Sequence, residues 1–343
     1  MDVQQRVPLS VLDLAVVRDG ATSAAALADT TRLAQRAEAC GYRRFWVAEH
    51  HNMPSVASTT PAVLIAHLAA ATSTIRVGSG GVMLPNHPSL VVAEQFAMLE
   101  ALHPGRIDLG IGRAPGTDPA TAAALRRAPA ALGAEEFPRH LIDLMGLLGD
   151  PRTANGMWTR FAATPAAATA PTIVLLGSSD YSAQLAGQLG LPFAFAHHFD
   201  TGGTLLALDI YRQHFGPSAV LAQPYAIVTA AVLTADTDEE AAWFAAPGQL
   251  MSFGLRTGRR IPILSPQAAA THPDLPAARA LPTNRIVGTP GAVVARIEEL
   301  ARATAADEIM VFPFTHGIDE RIRSLELLAQ AWQRRIIAAE GAT

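Results

Sequence analysis

Residues 46–51 read Trp46-Val47-Ala48-Glu49-His50-His51, an apolar run that ends abruptly in one carboxylate and two imidazoles. A strand that is buried on both faces has this appearance when it delivers polar side chains at its C-terminal end. Two later stretches follow the same pattern, VGSGGVMLP at 77–85 and GRIDLGIGR at 105–113. Because these strand ends fall close together in the sequence, they predict one pocket built from several strands. A carboxylate, imidazoles, a glycine pair and an arginine suit an enzyme that holds a planar, anionic cofactor.

The rest of the chain alternates short apolar runs with helical segments. The candidate strands lie at 9–17, 44–48, 75–79, 106–111, 172–176, 192–196, 225–233 and 308–312. This alternation, without a composition break between the two halves, predicts an α/β protein with a single (β/α)8 TIM barrel domain over 1–343. A doubly wound open sheet has the same alternation and is the rival fold.

Two segments interrupt the alternation. Residues 114–134 are rich in Pro, Gly and Ala and predict a loop that covers part of the pocket mouth. Residues 246–288 contain scattered Pro, Gly and Arg without a clear period. Because irregular connections of this length are usually functional, we predict an insertion late in the barrel that acts as a lid.

Composition excludes several classes of function. The chain carries a net charge of −4 with both signs interspersed, which gives no basic patch for nucleic acid. No apolar run reaches the roughly 18 residues that cross a bilayer, and no basic segment precedes an apolar one at the N-terminus. We therefore expect a cytoplasmic protein without membrane or nucleic-acid partners. All 26 basic residues are arginine, which rules out Schiff-base and Walker-A lysines.

The end of the second predicted strand carries the candidate catalytic groups Glu49, His50 and His51. Successive side chains of a strand point to opposite faces, so a functional site needs only one of the two histidines. We choose His50 as the pocket imidazole, able to exchange a proton near neutral pH. Metal binding is the alternative. The first strand lacks a His-x-His pair and Cys40 is the single cysteine, so we expect no metal site.

The glycines at 78–81 and 110–112 do not form a dinucleotide fingerprint. Met83 and Pro115 stand where the pattern G-x-G-x-x-G requires its last glycine. Glycine at a strand end indicates instead that the backbone approaches a flat group closely, or adopts a conformation that other residues resist.

Arg113 and the segment 177–182 form a candidate anion site. The planar fork of Arg113 can hold a phosphate. The hydroxyls of Ser179 and Ser182, together with the free N–H groups of a helix start, form a cradle beside it. The alternative is that Ser179 is a plain N-cap. Asp180 would repel a phosphate, and we expect it to point away.

Candidate substrate-pocket residues are Asp13, Leu84 and His198. Asp13 interrupts an apolar strand and either faces the pocket or is tied up by hydrogen bonds, since a buried unpaired carboxylate is costly. His198 follows the sixth predicted strand on the same rim.

The chain resembles the bacterial luciferase-like flavin monooxygenase family on two long stretches, VGSGGVMLPNHP at 77–88 and GRIDLGIGRAPGTD at 105–118. The resemblance runs through nearly the whole chain. It implies a (β/α)8 barrel with a late insertion. It also implies reduced FMN (FMNH2) with O2, or the deazaflavin F420 in some branches, as cofactor.

The same resemblance assigns roles to the first two strand ends. His50 matches the catalytic histidine and Glu49 matches its neighbouring carboxylate. Gly80 and Gly81 match an unusual non-proline cis peptide beneath the flavin ring. The resemblance implies that reduced flavin activates O2 in a pocket from which water is excluded, with His50 managing protons there.

The resemblance also assigns the phosphate site. Arg113 matches the phosphate arginine, and Ser178, Ser179 and Ser182 fall in the second phosphate-binding loop. Gly112 departs from the family, because light-emitting subunits carry a reactive cysteine just before that arginine. We therefore expect monooxygenation without useful luminescence.

These observations give one leading hypothesis and two alternatives. The leading one is a two-component monooxygenase whose reduced FMN comes from a separate NAD(P)H:flavin reductase, because no Rossmann motif is present. The alternatives are an F420-dependent oxidoreductase that passes hydride, and a flavin-binding protein without catalysis. The small-molecule substrate has no readable code. Helices predicted at 61–72 and 89–102 are alanine-rich enough to pack closely across a two-fold axis as a homodimer.

Overall fold

The strands are distributed along the sequence from Leu9 to Phe312. The computed structural model describes residues 6–125, 136–199, 202–259 and 261–340. Within these residues the strands are β1 (Leu9–Asp13), β2 (Arg44–Val47), β3 (Arg76–Met83), β4 (Ile107–Gly112), β5 (Thr172–Gly177), β6 (Phe193–Phe195), β7 (Ala226–Thr234), β8 (Ile286–Gly288) and β9 (Glu308–Phe312).

Helices connect the strands. They are α1 (Ser23–Ala39), α2 (Pro61–Ala70), α3 (Ser89–Leu102), α4 (Pro119–Leu125), α5 (Phe137–Leu147), α6 (Asp180–Gln188), α7 (Thr204–Gln213), α8 (Asp238–Thr257), α9 (Pro266–Ala270), α10 (Leu275–Ala280), α11 (Pro290–Thr304) and α12 (Ile318–Glu340). The Thr22 hydroxyl accepts the N–H of Ala25 and starts α1, and Thr237 starts α8 in the same way. α8 ends at Gly258, whose φ of 69° favours glycine. None of these described helices has the length and apolarity needed to span a membrane.

Eight parallel strands close into a barrel. β1 to β7 pair in sequence order, β9 pairs with β7, and β9 also pairs with β1 to complete the ring. At the closing seam Leu9 lies opposite Ile309, and Ile227 lies opposite Glu308. The short β8 pairs with the C-terminal end of β7 and stands outside the ring. The closed ring confirms the predicted (β/α)8 barrel and excludes the open sheet.

Successive strand residues face opposite sides of the barrel wall. Val11 and Phe45 pack in the outer core together with the helices. The next residues along each strand, Leu12 and Trp46, belong to a separate apolar cluster inside the barrel. The inner cluster supplies part of the wall of the candidate site.

Buried ion pairs close the N-terminal end of the barrel. Arg44, the first residue of β2, donates to Oδ2 of Asp108 at 2.8 Å and to the two oxygens of Glu308 at 2.8 and 3.0 Å. Tyr225 donates to the same glutamate at 2.7 Å. The three charged side chains are almost inaccessible to solvent, and Arg76, which also pairs with Asp108, supplies a second positive charge, so the two cations compensate the two carboxylates. This packing leaves the C-terminal end of the barrel as the open end.

The segment 246–288 is helical over much of its length, whereas the sequence indicated irregular structure. α8 continues through Pro247, and α9, α10 and β8 follow. Ala246 and Leu250 pack with α9 and α10 in a buried cluster, and this burial offsets the backbone hydrogen bond that Pro247 cannot donate. The assignment of this segment as a lid stays a prediction.

Two strand ends also differ by several residues from the predicted ones. β1 ends at Asp13 rather than at Val17, because Ala15 adopts a positive φ of 48° and its N–H bonds to the Asp13 carboxylate at 3.2 Å. β3 runs on to Met83 through the glycine pair. Local backbone conformation of this kind leaves no mark in hydrophobic periodicity.

The predicted loop at 114–134 contains the helix α4. Asp118 precedes this helix and accepts the N–H of Thr121 at 3.0 Å, which satisfies one free donor of the first turn. Residues 126–134 of the predicted loop and residue 260 of the predicted lid lie outside the described residues.

Candidate active site

A cavity of about 280 Å³ opens at the C-terminal ends of the barrel strands. Each of the eight barrel strands, or the loop that follows it, contributes to the lining. The lining residues are Leu12, Leu14, Trp46, Ala48, His50, Gly80, Met83, Gly112, Arg113, Ala114, Gly116, Leu176, Gly177, Ser178, Ser179, Ser182, Ala194, Ala196, His198, Phe199, Thr229, Met310 and Phe312. Most of these residues are apolar, and the polar groups among them are few and convergent. The cavity therefore suits a ligand with a flat apolar part and an anionic part.

His50 reaches the cavity from the end of β2. Its Nδ1 lies 3.2 Å from the carbonyl oxygen of Gly116, which can only accept, so Nδ1 donates and Nε2 keeps a lone pair in the neutral ring. Burial lowers the pKa of His50 and outweighs the Gly116 carbonyl and the Glu49 charge, which act in the opposite direction. His50 can therefore accept a proton at Nε2 near neutral pH.

Glu49 lies behind the cavity wall rather than in it. Its buried carboxylate accepts Nε2 of His51 at 2.8 Å, Nε2 of His87 at 2.9 Å and the backbone N–H of Met83 at 2.9 Å. Burial raises the pKa of Glu49, but these hydrogen bonds together outweigh burial and hold the pKa below its ordinary value. Glu49 thus bonds to segments beside His50 and is not among the residues that line the cavity, and its catalytic role stays a prediction. His51 is turned toward Glu49 and does not line the cavity.

The end of β3 forms part of the cavity wall. The peptide bond between Gly80 and Gly81 is cis, as the resemblance implies. Gly80 lines the cavity, and a Cβ there would lie 2.7 Å from Cδ1 of Leu12. Gly81 does not line the cavity, because it faces β4, where a Cβ would lie 2.8 Å from the carbonyl oxygen of Gly110. The predicted cofactor contact is therefore available at Gly80, whereas Gly81 serves the close approach of two strands.

The ends of β4 and β5 make one side of the cavity cationic and rich in donors. Arg113 forms no ion pair with any residue that the structure describes, and its Cζ lies 4.3 Å from the centroid of the Tyr181 ring. Ser179 is the N-cap of α6, yet its hydroxyl makes no capping hydrogen bond, and Ser182 is buried in the first turn. Asp180 is exposed and does not line the cavity. A guanidinium, two hydroxyls and a helix start are a donor set that fits a phosphate.

A second imidazole, that of His198, lines the cavity after β6. Its Nδ1 lies 3.2 Å from the carbonyl oxygen of Thr229, so Nδ1 donates and Nε2 keeps its lone pair. Burial, helped by the nearby charges of Arg285 and His50, lowers the pKa of His198 to about 4 despite the bond to Thr229. The ring packs against Phe312 with centroids 5.8 Å apart. His198 is therefore neutral at physiological pH.

Two predicted substrate-pocket residues, Asp13 and Leu84, do not line the cavity. Asp13 is inaccessible, pairs with Arg321 of α12 and accepts the Thr30 hydroxyl at 2.6 Å. Of the two alternatives that the sequence left open, the structure shows the hydrogen-bonded one, which compensates a buried carboxylate. Leu84 is buried in the outer core. Both are buried outside the cavity lining, and their role as substrate-pocket residues stays a prediction.

Sequence reasoning missed several side chains at or beside the site. Met83 and Phe199 line the cavity, and the ring of Tyr181 stacks on the guanidinium of Arg113. Each is a close sequence neighbour of a predicted site residue, but an apolar or aromatic side chain carries no chemical signal of its own. His87 could have been predicted from the sequence, because it lies near the end of the stretch 77–88 that carries the family resemblance.

Gly112 lines the cavity where the light-emitting subunits carry a reactive cysteine. A Cβ at Gly112 would lie 2.8 Å from Sδ of Met83, the flexible end of a side chain. The single cysteine, Cys40, lies elsewhere, at the end of α1. In the part of the chain that the structure describes, no group of three His, Cys, Asp or Glu residues is placed to hold a metal ion.

Comparison with known proteins identifies the family. The family model for luciferase-like monooxygenases matches residues 7–307. A luciferase-like monooxygenase of Escherichia coli K12 is 42% identical over 326 residues, which cover 94% of this chain and 96% of that protein. The uncharacterized protein YvbT of Bacillus subtilis is 45% identical over 331 residues, covering 95% of this chain and 97% of that protein. The chain is an enzyme that belongs to the luciferase-like monooxygenase family.

Solved structures share the same architecture. The structure of apo-MsnO8 matches with a TM-score of 0.86 at 37% identity and covers 96% of this chain and 99% of that chain. Two less similar structures show likeness of fold alone. One is the oxygenating constituent of 3,6-diketocamphane monooxygenase from Pseudomonas putida in complex with FMN, with a TM-score of 0.72, 18% identity and coverage of 95% and 97%. The other is an F420-dependent secondary alcohol dehydrogenase, with a TM-score of 0.68, 13% identity and coverage of 95% and 98%.

Proposed function

We propose that this enzyme is an FMN-dependent monooxygenase that uses reduced FMN and O2 to oxidise a small organic molecule. The observation that carries the proposal is that His50, Arg113 and the serines after β5 line one cavity. The donors of Arg113 and Ser179 suit a flavin phosphate, and Gly80 lets a flat ring approach the backbone.

Bound reduced FMN would supply the electrons that activate O2. Arg113, Ser179 and Ser182 would hold the phosphate, and Gly80 would be among the contacts of the ring. The apolar lining excludes water, which protects reactive species from hydrolysis. His50 would hold or deliver a proton at Nε2, since its Nδ1 is committed to a backbone carbonyl.

A separate NAD(P)H:flavin reductase and a cytoplasmic location are part of this proposal. The sequence contains no Rossmann fingerprint for nicotinamide, and 110–112 fails it at Pro115. With FMN reduced by dithionite, the purified enzyme should oxidise substrate without any reductase. With NADH and FMN but no reductase, it should not turn over.

A homodimer is also part of the proposal. α2 and α3 pack against each other and expose four apolar side chains, those of Val63, Val91, Met98 and Leu102. Exposed apolar side chains on adjacent helices are typical of contact surfaces, and two-fold pairing is the commonest arrangement of identical chains. Analytical ultracentrifugation at micromolar concentration should give a dimer, and Met98→Glu should shift it toward monomer. A monomeric wild-type protein would contradict this part.

F420 on the same barrel is the second candidate, because one of the fold neighbours is an F420-dependent enzyme. The guanidinium of Arg113 and the serines after β5 could also hold the phosphate of F420, so the cavity lining alone does not distinguish F420 from FMN. The discriminating measurement is a melting curve of the protein with FMN and with F420. We expect a higher Tm with FMN than with F420. We also expect the enzyme to oxygenate members of a panel of test substrates when reduced FMN is supplied. Stabilisation by F420 alone would overturn the FMN proposal.

A further inference from the structure

One side of the cavity is lined by three aromatic rings. His198 and Phe199 follow β6, and their ring centroids lie 4.1 Å apart. Phe312, at the end of β9, also contacts His198, with ring centroids 5.8 Å apart. We call these three cavity-lining residues the aromatic wall. Aromatic rings in mutual contact offer a flat apolar surface on which a further ring can pack.

The aromatic wall and His50 lie on opposite sides of the cavity. In the ring of eight strands, β6 is separated from β2 by β3, β4 and β5 in one direction and by β1, β9 and β7 in the other. His50 follows β2 and His198 follows β6, so the two imidazoles enter the cavity from opposite strand ends. The proposed phosphate donors, Arg113 and the serines, follow β4 and β5. A compound that packs on the aromatic wall therefore faces His50 across the cavity.

The imidazole of His198 presents a hydrogen-bond acceptor on this wall. Its Nδ1 donates to the carbonyl oxygen of Thr229 at 3.2 Å, so the lone pair lies on Nε2. Nε2 makes no hydrogen bond with a residue that the structure describes, and it is not fully buried. Because His198 lines the cavity, Nε2 is accessible to a ligand there. A ligand that covered this acceptor without donating to it would lose binding free energy.

The charges around the wall favour a neutral ligand. With a pKa of about 4, His198 carries no charge at neutral pH. Arg113 is the one arginine among the described lining residues, and it belongs to the phosphate side. The charge of Arg285 acts on His198, but its guanidinium donates to α8 and does not line the cavity. An anionic group at the wall would meet the lone pair of Nε2, whereas a hydroxyl would meet an acceptor.

We propose that the substrate is a neutral phenol whose hydroxyl donates to Nε2 of His198 while its ring packs on the aromatic wall. The inference rests on the proposed function and names the substrate class of the same cavity. His198 is then a substrate-binding residue, and the part of the substrate distant from the hydroxyl lies toward His50.

A binding measurement with three matched probes tests the proposal. The probes are 2-naphthol, its ether 2-methoxynaphthalene, which has no donor, and the anion 2-naphthoate. Calorimetric titration uses protein saturated with oxidised FMN, so that no oxygenation occurs. We expect the wild-type protein to bind 2-naphthol at least about fivefold more tightly than either of the other two probes, because only 2-naphthol satisfies Nε2.

Two variants of His198 remove the acceptor in different ways. In His198→Asn the amide can still donate to the carbonyl of Thr229, but the side chain is too short to present an acceptor at the position of Nε2. His198→Phe keeps a ring at the wall. Both variants should bind 2-naphthol and 2-methoxynaphthalene with affinities within about twofold of each other. Either variant alone is sufficient if the other does not fold.

Three further variants separate the acceptor from its surroundings. Phe199→Ala removes part of the wall and should weaken 2-naphthol and 2-methoxynaphthalene alike, by about threefold or more. Thr229→Val removes the other hydroxyl on this side and should keep the preference for 2-naphthol. His214→Asn is the matched control, because Nδ1 of the exposed His214 bonds to the carbonyl of Ile210 at 2.9 Å outside the cavity, and it should change nothing.

The outcomes distinguish this inference from the proposed function. In FMN-loaded wild-type protein, equal affinity for 2-naphthol and its ether, tighter binding of 2-naphthoate, or no binding of any probe would overturn the phenol proposal. A preference for 2-naphthol that survives in His198→Asn and His198→Phe, or that is lost in Thr229→Val, would overturn the role of His198. Failure of the wild-type protein to bind FMN would instead overturn the proposed function.

Discussion

The indole N–H of Trp46 donates to Oδ2 of Asp108 at 2.9 Å, and this bond joins the two ends of the barrel interior. Trp46 lines the cavity at the C-terminal end. Asp108 belongs to the buried ion pairs that close the N-terminal end, where it accepts Nη1 of Arg44 at 2.8 Å. The wall of the candidate site is thus held by a network whose role is stability rather than chemistry.

Removing the central cation of that network should destabilise the fold strongly. Arg44→Met leaves Glu308 and Asp108 buried without their shared partner, and we expect a loss of about 3–5 kcal/mol in the free energy of unfolding. Arg43→Met is the matched control, because Arg43 is about half exposed and lies 3.8 Å from Glu308, and surface pairs contribute only about 0–1 kcal/mol. Urea unfolding measures both. Equal losses would contradict the assignment of the network to the core.

Two glycines of one strand should differ sharply in their tolerance of alanine. A Cβ at Gly110 would lie 2.0 Å from the carbonyl oxygen of Ser79, a backbone atom that cannot move aside. A Cβ at Gly112 would meet only the flexible end of Met83. We expect Gly110→Ala to cost more than about 3 kcal/mol and Gly112→Ala less than about 1 kcal/mol in thermal unfolding. Similar destabilisation by the two variants would contradict the close approach of β3 and β4 at Gly110.

Stability should fall as pH falls through the range set by His198. The folded-state pKa of about 4 lies below the unfolded value of about 6.5, so between these values the unfolded chain binds a proton that the folded chain does not. This difference removes up to about 3 kcal/mol of stability as pH drops from about 6.5 to about 4.

The variant His198→Asn isolates that contribution. Its amide can still donate to the carbonyl of Thr229, while the titrating group is gone. Other histidines with lowered pKa, such as His50, contribute equally to both proteins. Urea unfolding across this pH range should give a shallower pH dependence for the variant. Parallel curves would contradict a lowered pKa of His198 in the folded protein.

The sequence predicted the barrel and most of the cavity for a definable reason. Apolar runs mark buried strands, and the residues directly after them meet at one end of a parallel barrel, which is why His50, Arg113 and Ser179 were identified together. It failed where tertiary packing overrides local signals. Pro247 predicted irregular structure, yet α8 continues through it because its neighbours are buried.

The roles of single side chains were harder to predict than their positions. Asp13 has two physically reasonable states, and only the presence of Arg321, distant in sequence, decides between them. Glu49 lies next to the cavity histidine in sequence, but its hydrogen bonds with His51 and His87 turn it away from the cavity.

Replacing His50 should separate catalysis from flavin binding. His50→Ala removes the group that exchanges a proton at the cavity, and we expect oxygenation with reduced FMN to fall about 100-fold or more, while FMN affinity changes little. His103→Ala is the control, because His103 lies at the end of α3, near the opposite end of the barrel. Turnover and FMN binding should be measured on the same preparations. Unchanged turnover in His50→Ala would remove this residue from the mechanism.

The most direct test of the account is the affinity of the cavity for FMN and for riboflavin, which lacks the phosphate. Wild-type protein should bind FMN at least about tenfold more tightly than riboflavin. Arg113→Met should abolish that difference by weakening FMN binding alone. Equal affinity of the wild-type protein for the two flavins, or an unchanged preference for FMN in Arg113→Met, would contradict the assignment of this cavity as an FMN site.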